Sequence, residues 1–372
     1  MKLLIVPPQG LVLYIHKVLI NCPICFPIRK NRLIQIQIEL FLGQSCPLKR
    51  IQPEPVISKE LRKSRFGNTI YRRHGDMIKG LLCLGIFLLS HFNHYGQSVA
   101  PDSLVKKRVD KFLIVVGVGY AVSLVGLNQI WYKDFPRSRF HFFDDNPEWK
   151  QIDKLGHFYN SYQLSKASAV VLTNLGQEDK KSYVMGSLLG FTMLSSIEIM
   201  DGFSAEYGAS WGDILANGVG AGFSLGQYLL WQETRIHPKY SFSSSKYAAL
   251  RPEVLGHTWH EQVIKDYNGQ TQWLSFDISK FLSEGSRFPK WLNLAIGYGA
   301  DALVFARDAE NKAAGFEPYR QYYLAVDFDL THIKTNSKFA NTLLYLVNMI
   351  HLPAPALEYN NNEGFKLLGL FF

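Results

Sequence analysis

Cysteine is nearly missing from this chain, and the little there is sits at one end. Cys22, Cys25, Cys46 and Cys83 are the only four in 372 residues. The part after position 96 therefore has no disulfide framework, no thiolate nucleophile and no thiolate zinc site. Acidic charge is scarce at the same end. Residues 1–96 carry 14 Lys/Arg and 4 Asp/Glu, whereas residues 97–372 carry 26 against 27. The formal charge of +9 thus belongs to the first segment, and the near-neutral remainder offers no case for nucleic acid as a partner. Familiar catalytic signatures are missing too. There is no nucleophile elbow and no P-loop, and His257, His260 and Glu261 do not have the spacing of a metalloprotease helix. They read as a surface group in a loop. The run Gly218 to Gly222 is no dinucleotide fingerprint, because no strand-like segment precedes it. No cofactor is indicated, and a metal is neither required nor excluded.

What is present begins with a leader. Met77 and Lys79 precede an apolar run at 80–90 and a polar stretch at 91–98, with small residues near Gly96 and Ser98 where a signal peptidase could cut. This is the layout of a signal peptide at 77–98, and it implies export. A leader belongs at a chain start, so Met77 reads as the initiator and 1–76 as a mispredicted N-terminal extension. The other reading keeps 1–76 as a basic arm in which 11–20 seeks a membrane. Cys22-Pro-Ile-Cys25, with Cys46 alone nearby, falls short of the four ligands of a structural zinc site. Cys83 follows Leu82 inside the apolar run, which is no place for lipid attachment.

The rest divides by hydrophobic period. Residues 104–235 read as a bundle of apolar helices and 236–372 as a mixed, β-rich part, joined by the Ser-rich stretch 236–245. Residues 112–132 form 21 positions without a charge, flanked by basic residues and closed by Trp131 and Tyr132, the best transmembrane candidate here. Gly117, Gly119 and Gly126 in it favour close helix packing. Asn146-Pro147 predicts a helix start that runs past His157 to about Asn174. Apolar segments follow at 182–197 and 214–232. They carry small residues four apart at Gly186/Gly190, Ala216/Gly220 and Gly222/Gly226, which lets helix backbones approach. Strand-like alternation appears at 272–278, 291–300, 320–330 and 365–372, and Asn268-Gly269 predicts a turn. The expected fold is mainly α: a membrane-associated helical bundle of about four apolar helices with a small C-terminal β-rich part. Four strands are too few for a membrane barrel.

Three polar groups interrupt the apolar helices. Asp153 and His157 are four apart, Glu198 and Asp201 three apart, and Asp213 and Asn217 four apart, so each pair shares a helix face. Ionisable groups beside apolar helices are costly unless they pair or face a cavity. His157, Glu198, Asp201, Asp213 and Asn217 are therefore the candidate site. Histidine with carboxylates could serve as general acid and base on an ester or phosphodiester, or could hold a hard or borderline cation. Each element also has a purely structural reading. Ser210 with Asp213 fits a helix cap, Asp201-Gly202 a helix end, and Asp153-Lys154 a solvated first turn.

At these groups the sequence resembles the YfiM-type periplasmic lipoproteins, a family of uncharacterised bacterial envelope proteins. The matching stretches are 153–158 (DKLGHF), 195–227 (SSIEIMDGFSAEYGASWGDILANGVGAGFSLGQ) and, for longer members, 265–275 (KDYNGQTQWLS). The layout is also similar to VanZ-like membrane proteins, which pair an early Asp-Lys-x-x-His with a late Ser-x-x-Asp-x-x-x-Asn. Neither resemblance brings an established reaction. Together they imply a cell-envelope location and a shared His/Glu/Asp/Asn cluster. The expected function is a membrane-associated envelope protein with a structural or accessory role that binds lipid or glycan. The alternative is a membrane-embedded enzyme acting on lipid or cell-wall precursors through that cluster. The partners expected are membrane lipid or other envelope components.

Overall fold

The computed structural model describes residues 101–128, 132 and 136–372, all within one compact unit. The leader, the four cysteines and Trp131 lie outside the described residues.

Four long helices come first: α1 (Asp102–Leu127), α2 (Ile152–Asn174), α3 (Asp179–Gly202) and α4 (Trp211–Trp231). α1 buries only Val105, Val109 and Phe112, a stripe at helical spacing that packs on Val171, Leu172 and Leu175 of α2. Its other apolar residues, among them Ile114, Val118, Val122 and Val125, face outward. Gly117 and Gly119 have open space where a Cβ would lie, so they do not mediate the close packing expected of them. α2, α3 and α4 do approach closely. A Cβ on Gly190 would lie 2.2 Å from Ser165 Oγ, and one on Gly220 would lie 2.2 Å from the Phe158 carbonyl oxygen.

Two of these helices, α1 and α3, are long and apolar enough to cross a membrane by length and composition. This corrects the expected bundle of about four apolar helices. α2 carries Lys166 in mid-helix, and α4 carries buried Asp213, Asn217 and Gln227. These polar groups lower the apolar character of α2 and α4.

The helix start at Asn146-Pro147 also needs correction. A turn and a 3₁₀ segment, Trp149–Gln151, precede α2, which begins at Ile152. Trp149, Lys150 and Gln151 all take positive φ, at 47°, 53° and 63°. Such conformations cost of order 1 kcal/mol or more each for residues with a Cβ. Tertiary bonds hold them there. Trp149 N donates to the Ala306 carbonyl at 2.8 Å, Tyr298 Oη donates to the Lys150 carbonyl at 2.6 Å, and Arg320 donates to Gln151 Oε1 at 2.7 Å.

The remainder is a six-stranded sheet in which every neighbour is antiparallel and adjacent in sequence. The strands are β1 (Ile236–Phe242), β2 (Gln270–Phe276), β3 (Leu292–Asp301), β4 (Tyr319–Phe328), β5 (Ala354–Asn360) and β6 (Gly364–Phe371). The β part is thus larger than expected, and the molecule is about half helical rather than mainly α. β1 is the segment that reads in sequence as a connector. β5 alternates small and polar inward residues with Leu357 and Tyr359, a pattern too weak to stand out alone. Short helices punctuate the loops: α5 (Pro252–Leu255), α6 (Trp259–Lys265), α7 (Asp308–Ala313) and α8 (Lys338–Val347). His257 and His260 flank the start of α6 on the surface, at a helix cap rather than in a loop.

The sheet has inverted sidedness. Its register aligns Leu274, Ile296, Leu324, Leu357 and Leu367 in one row across five strands. The next row is Tyr298, Tyr322, Tyr359 and Phe365. Most of these side chains are exposed. The opposite face holds Trp273, Ala295, Tyr323, Ala325 and Ala356, but also fully buried Lys239 and Asp327, paired at 2.7 Å. α2 packs against β1, β2 and β3. The sheet curls so far that Ser243 at the end of β1 donates to the Phe372 carbonyl at 2.6 Å, and Phe371 stacks on Tyr323.

Candidate functional site

The N-terminus of α2, the C-terminal turns of α3 and the N-terminus of α4 meet at one end of the bundle. The reason is local. Ser210 caps α4 by accepting the Asp213 backbone N–H at 3.1 Å, and its own backbone N–H donates to Glu198 Oε2 at 3.1 Å. One residue thus starts α4 and fastens it to α3. The same Ser210 hydroxyl donates to Asp145 Oδ1 at 2.5 Å, which draws in the chain ahead of α2.

His157 occupies the centre. Its Nδ1 lies 3.1 Å from Asn217 Oδ1, and its Nε2 lies 3.6 Å from Glu198 Oε1. Lys154, one turn earlier on α2, places its ammonium 2.7 Å from Asp145 and 3.0 Å from Asp213. Tyr267 Oη donates to Asp153 Oδ1 at 2.8 Å. Glu198, Asp213 and Asn217 are buried, while Asp153 keeps about 30% of its side chain exposed and forms the solvent edge. Asn217 is held from behind as well, because Ser161 Oγ donates to its backbone carbonyl at 2.7 Å.

The charges are tuned by burial and by one another. Burial pushes the Asp213 carboxyl up to about 7, reinforced by Asp153 and opposed by His157. Burial alone would lower His157, but Asp153, Asp213 and Glu198 outweigh it and raise that imidazole above its ordinary value. Lys154 is raised against its burial by Asp213 and Asp145. Asp145 is held below the usual carboxylate range by its bonds from Asp213, Lys154 and Ser210, which overcome burial. The cluster can therefore exchange protons near neutral pH.

Four of the five sequence candidates, His157, Glu198, Asp213 and Asn217, come together directly. Asp201 stands apart. It accepts a hydrogen bond from Tyr132 Oη at 2.7 Å, beside a cleft of about 100 Å³ lined by Tyr132, Arg137, Ile199, Met200 and Phe203. The candidate set left out five members: Asp145, Asp153 (noted only as the helix-face partner of His157), Lys154, Ser210 as a bridge, and Tyr267. Asp145 and Lys154 are adjacent in sequence to groups already singled out, whereas Tyr267 lies in the 265–275 stretch quoted for the family resemblance but carries no local sign that it reaches Asp153, 114 residues away. Asp153, His157 and Asp213 each offer a possible metal-ligand atom within 4.8 Å of the others. Lys154 already places a positive charge against Asp145 and Asp213 there.

Residues 141–229 match a family model described as a predicted periplasmic lipoprotein (DUF2279). The matched stretch takes in α2, α3 and most of α4, with Asp145 and every residue of the cluster from Asp153 to Asn217. No curated protein and no solved structure matches the chain. The similarity is to an uncharacterised periplasmic lipoprotein-like family, and it supports an exported protein of the cell envelope.

Proposed function

We propose that this envelope protein associates with a membrane through its apolar outer faces and has a structural or accessory role there, binding lipid or glycan. The observation that carries the reading is the inverted sheet: leucines and an aromatic row face out while Lys239 and Asp327 are buried. A water-facing sheet has the opposite sidedness, apolar inward and polar outward. An apolar band beside a row of aromatics is the pattern of a sheet that meets acyl chains and headgroups. The outward residues of α1, such as Ile114 and Val118, extend the apolar surface. Flotation of the purified chain with anionic phospholipid vesicles tests this. Recovery in the lipid layer supports it, and recovery in the dense fraction at low and high salt refutes it.

A second reading makes the bundle end an acid–base site acting on a lipid or cell-wall precursor. It is favoured by His157 facing Glu198 and Asp213 at an edge that Asp153 opens to solvent. His157→Gln would then abolish an envelope phenotype at unchanged protein level. Loss of the protein itself would point to the structural role.

A further inference from the structure

We propose that a second cluster, at one end of the sheet, is a site for a first-row divalent cation of the zinc type. Its ligands would be His237, Asp277, Asp329 and His332. The sequence builds the site by repeating one device. β2 ends in Phe276-Asp277-Ile278-Ser279-Lys280, and β4 ends in Phe328-Asp329-Leu330-Thr331-His332. Each aspartate follows a strand and opens a 3₁₀ turn. In each turn the hydroxyl two residues on binds one carboxylate oxygen. Ser279 Oγ donates to Asp277 Oδ1 at 2.7 Å, and Thr331 Oγ1 donates to Asp329 Oδ1 at 2.6 Å.

The other oxygen of each carboxylate is left facing the same point. Asp277 Oδ2, Asp329 Oδ2 and the His237 Nε2 from β1 are buried, and none of the three makes a hydrogen bond. Their residues are buried to at least nine-tenths. Potential ligand atoms of these three lie within 4.8 Å of one another. His332 completes the set, with Nε2 3.8 Å from Asp277 Oδ2 and 3.7 Å from Asp329 Oδ2, and His237 Nε2 is 3.8 Å from that same Asp329 oxygen.

Asp277 Oδ2 has only the Lys280 ammonium at 3.2 Å, while His237 Nε2 and Asp329 Oδ2 are buried without any hydrogen-bond partner, an arrangement that costs about 1–3 kcal/mol for each of those two. The long separations have a simple reading. Pairs at 3.7–3.8 Å are too far apart for hydrogen bonds to one another. A tetrahedral ion with bonds of about 2.0–2.1 Å holds its ligands roughly 3.4 Å apart, so a small contraction would close the site. Two imidazoles and two carboxylates suit zinc in donor type and number. The hydroxyl bonds to the outer oxygens are the orienting contacts that ligating carboxylates require.

Lys280 is the rival. Its ammonium lies 3.2 Å from Asp277 Oδ2 and donates to the Thr234 carbonyl at 2.7 Å. It neutralises one of the two carboxylates but reaches neither His237 Nε2 nor Asp329 Oδ2 with a hydrogen bond. The cation would tie β1, the end of β2 and the end of β4 together. His332, about one-third exposed, gives it an entry path.

The test uses the full chain, freed of metal with a chelator and titrated with zinc chloride against a chromophoric competitor. One tight site per chain is expected. Asp329→Asn and His237→Gln should each weaken it at least tenfold, while His157→Gln in the other cluster should leave it unchanged. A titration with no site tighter than about 10 µM overturns the proposal, as does a site lost with His157→Gln and kept with Asp329→Asn. If the variants fail to fold, cobalt(II) added to the unaltered chain decides. Intense tetrahedral absorption bands support the site, and the weak spectrum of six-coordinate cobalt refutes it.

Discussion

His157 Nδ1 stands 3.1 Å from the side-chain oxygen of Asn217, and this one contact sets what the rest of the ring can do. An amide oxygen accepts only, so Nδ1 carries the proton. Nε2 is then the nitrogen that faces Glu198 Oε1, at 3.6 Å, so the imidazole and the carboxyl act on each other through charge rather than through a direct hydrogen bond. Replacing Asn217 with Leu removes that orientation and leaves Nδ1–H buried without a partner. The expected loss is about 1–3 kcal/mol, read from chemical denaturation, with Asn217→Ser milder than Asn217→Leu.

Asp213 makes stability depend on pH in a definite direction. Its folded-state carboxyl is raised to about 7, above its ordinary value of 3.8. Between those limits the native chain binds a proton that the unfolded chain has released, so this contribution falls as pH rises and is lost above about 7. His157, also raised in the native state, acts in the same sense at higher pH. His351, lowered by burial to about 4, and His237, also lowered by burial, act in the opposite sense. The difference between the unaltered chain and Asp213→Asn reports the first effect together with the loss of the pull of Asp213 on His157, which acts in the same sense. Thermal melts from pH 4.5 to 8 should show the variant gaining relative stability as pH rises, by up to about 1.4 kcal/mol per pH unit. A flat difference would remove Asp213 from the proton-sharing cluster.

Much of the helical half was legible in the sequence, because uncharged runs broken by paired polar residues are a local pattern. α3 and α4 fall where the apolar segments place them, and Gly190 and Gly220 sit at real helix contacts. The start of α2 was not legible, since Asn146-Pro147 is a good local cap that loses to bonds from Ala306, Tyr298 and Arg320, all far along the chain. β1 hid for a similar reason. His237, Pro238 and Lys239 look like loop composition and become a strand only because a polar interior awaits them. Tyr267 and the carboxylates at the strand ends belong to sites assembled by register, which single-sequence pattern does not carry.

Two glycines from the small-residue pairs, Gly190 on α3 and Gly222 on α4, should respond oppositely to alanine. A Cβ at Gly190 meets Ser165 Oγ at 2.2 Å and the Ser161 carbonyl oxygen at 2.7 Å, so Gly190→Ala must part α2 from α3. The expected cost is about 1–3 kcal/mol. Gly222, on α4, has nothing within 4 Å of the same position. Gly222→Ala should be neutral or stabilising by up to about 1 kcal/mol through helix propensity. Melting temperatures of the two variants check both signs.

The outer face of the sheet can be separated from its fold. Leu367 is 80% exposed and Leu324 44% exposed in the apolar row. Leu367→Glu with Leu324→Lys should leave the denaturation midpoint in mild detergent nearly unchanged, because neither side chain is part of the core. Vesicle binding should fall severalfold. Undiminished flotation would mean that the sheet does not meet lipid.

Lys239 offers the sharpest test of the polar interior. Its ammonium has no exposure, and it binds Asp327, the Phe328 carbonyl at 2.7 Å and Asn348 Oδ1 at 3.3 Å. Lys239→Met removes the cation and strands the fully buried Asp327 carboxylate without its counter-charge, which should cost about 3–5 kcal/mol. Adding Asp327→Asn takes away the stranded charge and should recover a good part of that loss. The double variant therefore distinguishes a pair retained for stability from one whose members are costly only apart. Recovery in the double variant identifies desolvation of Asp327 as the dominant penalty. Losses that simply add would instead assign the cost to the lysine's bonds with Phe328 and Asn348, which stitch the end of β4 to the segment after α8.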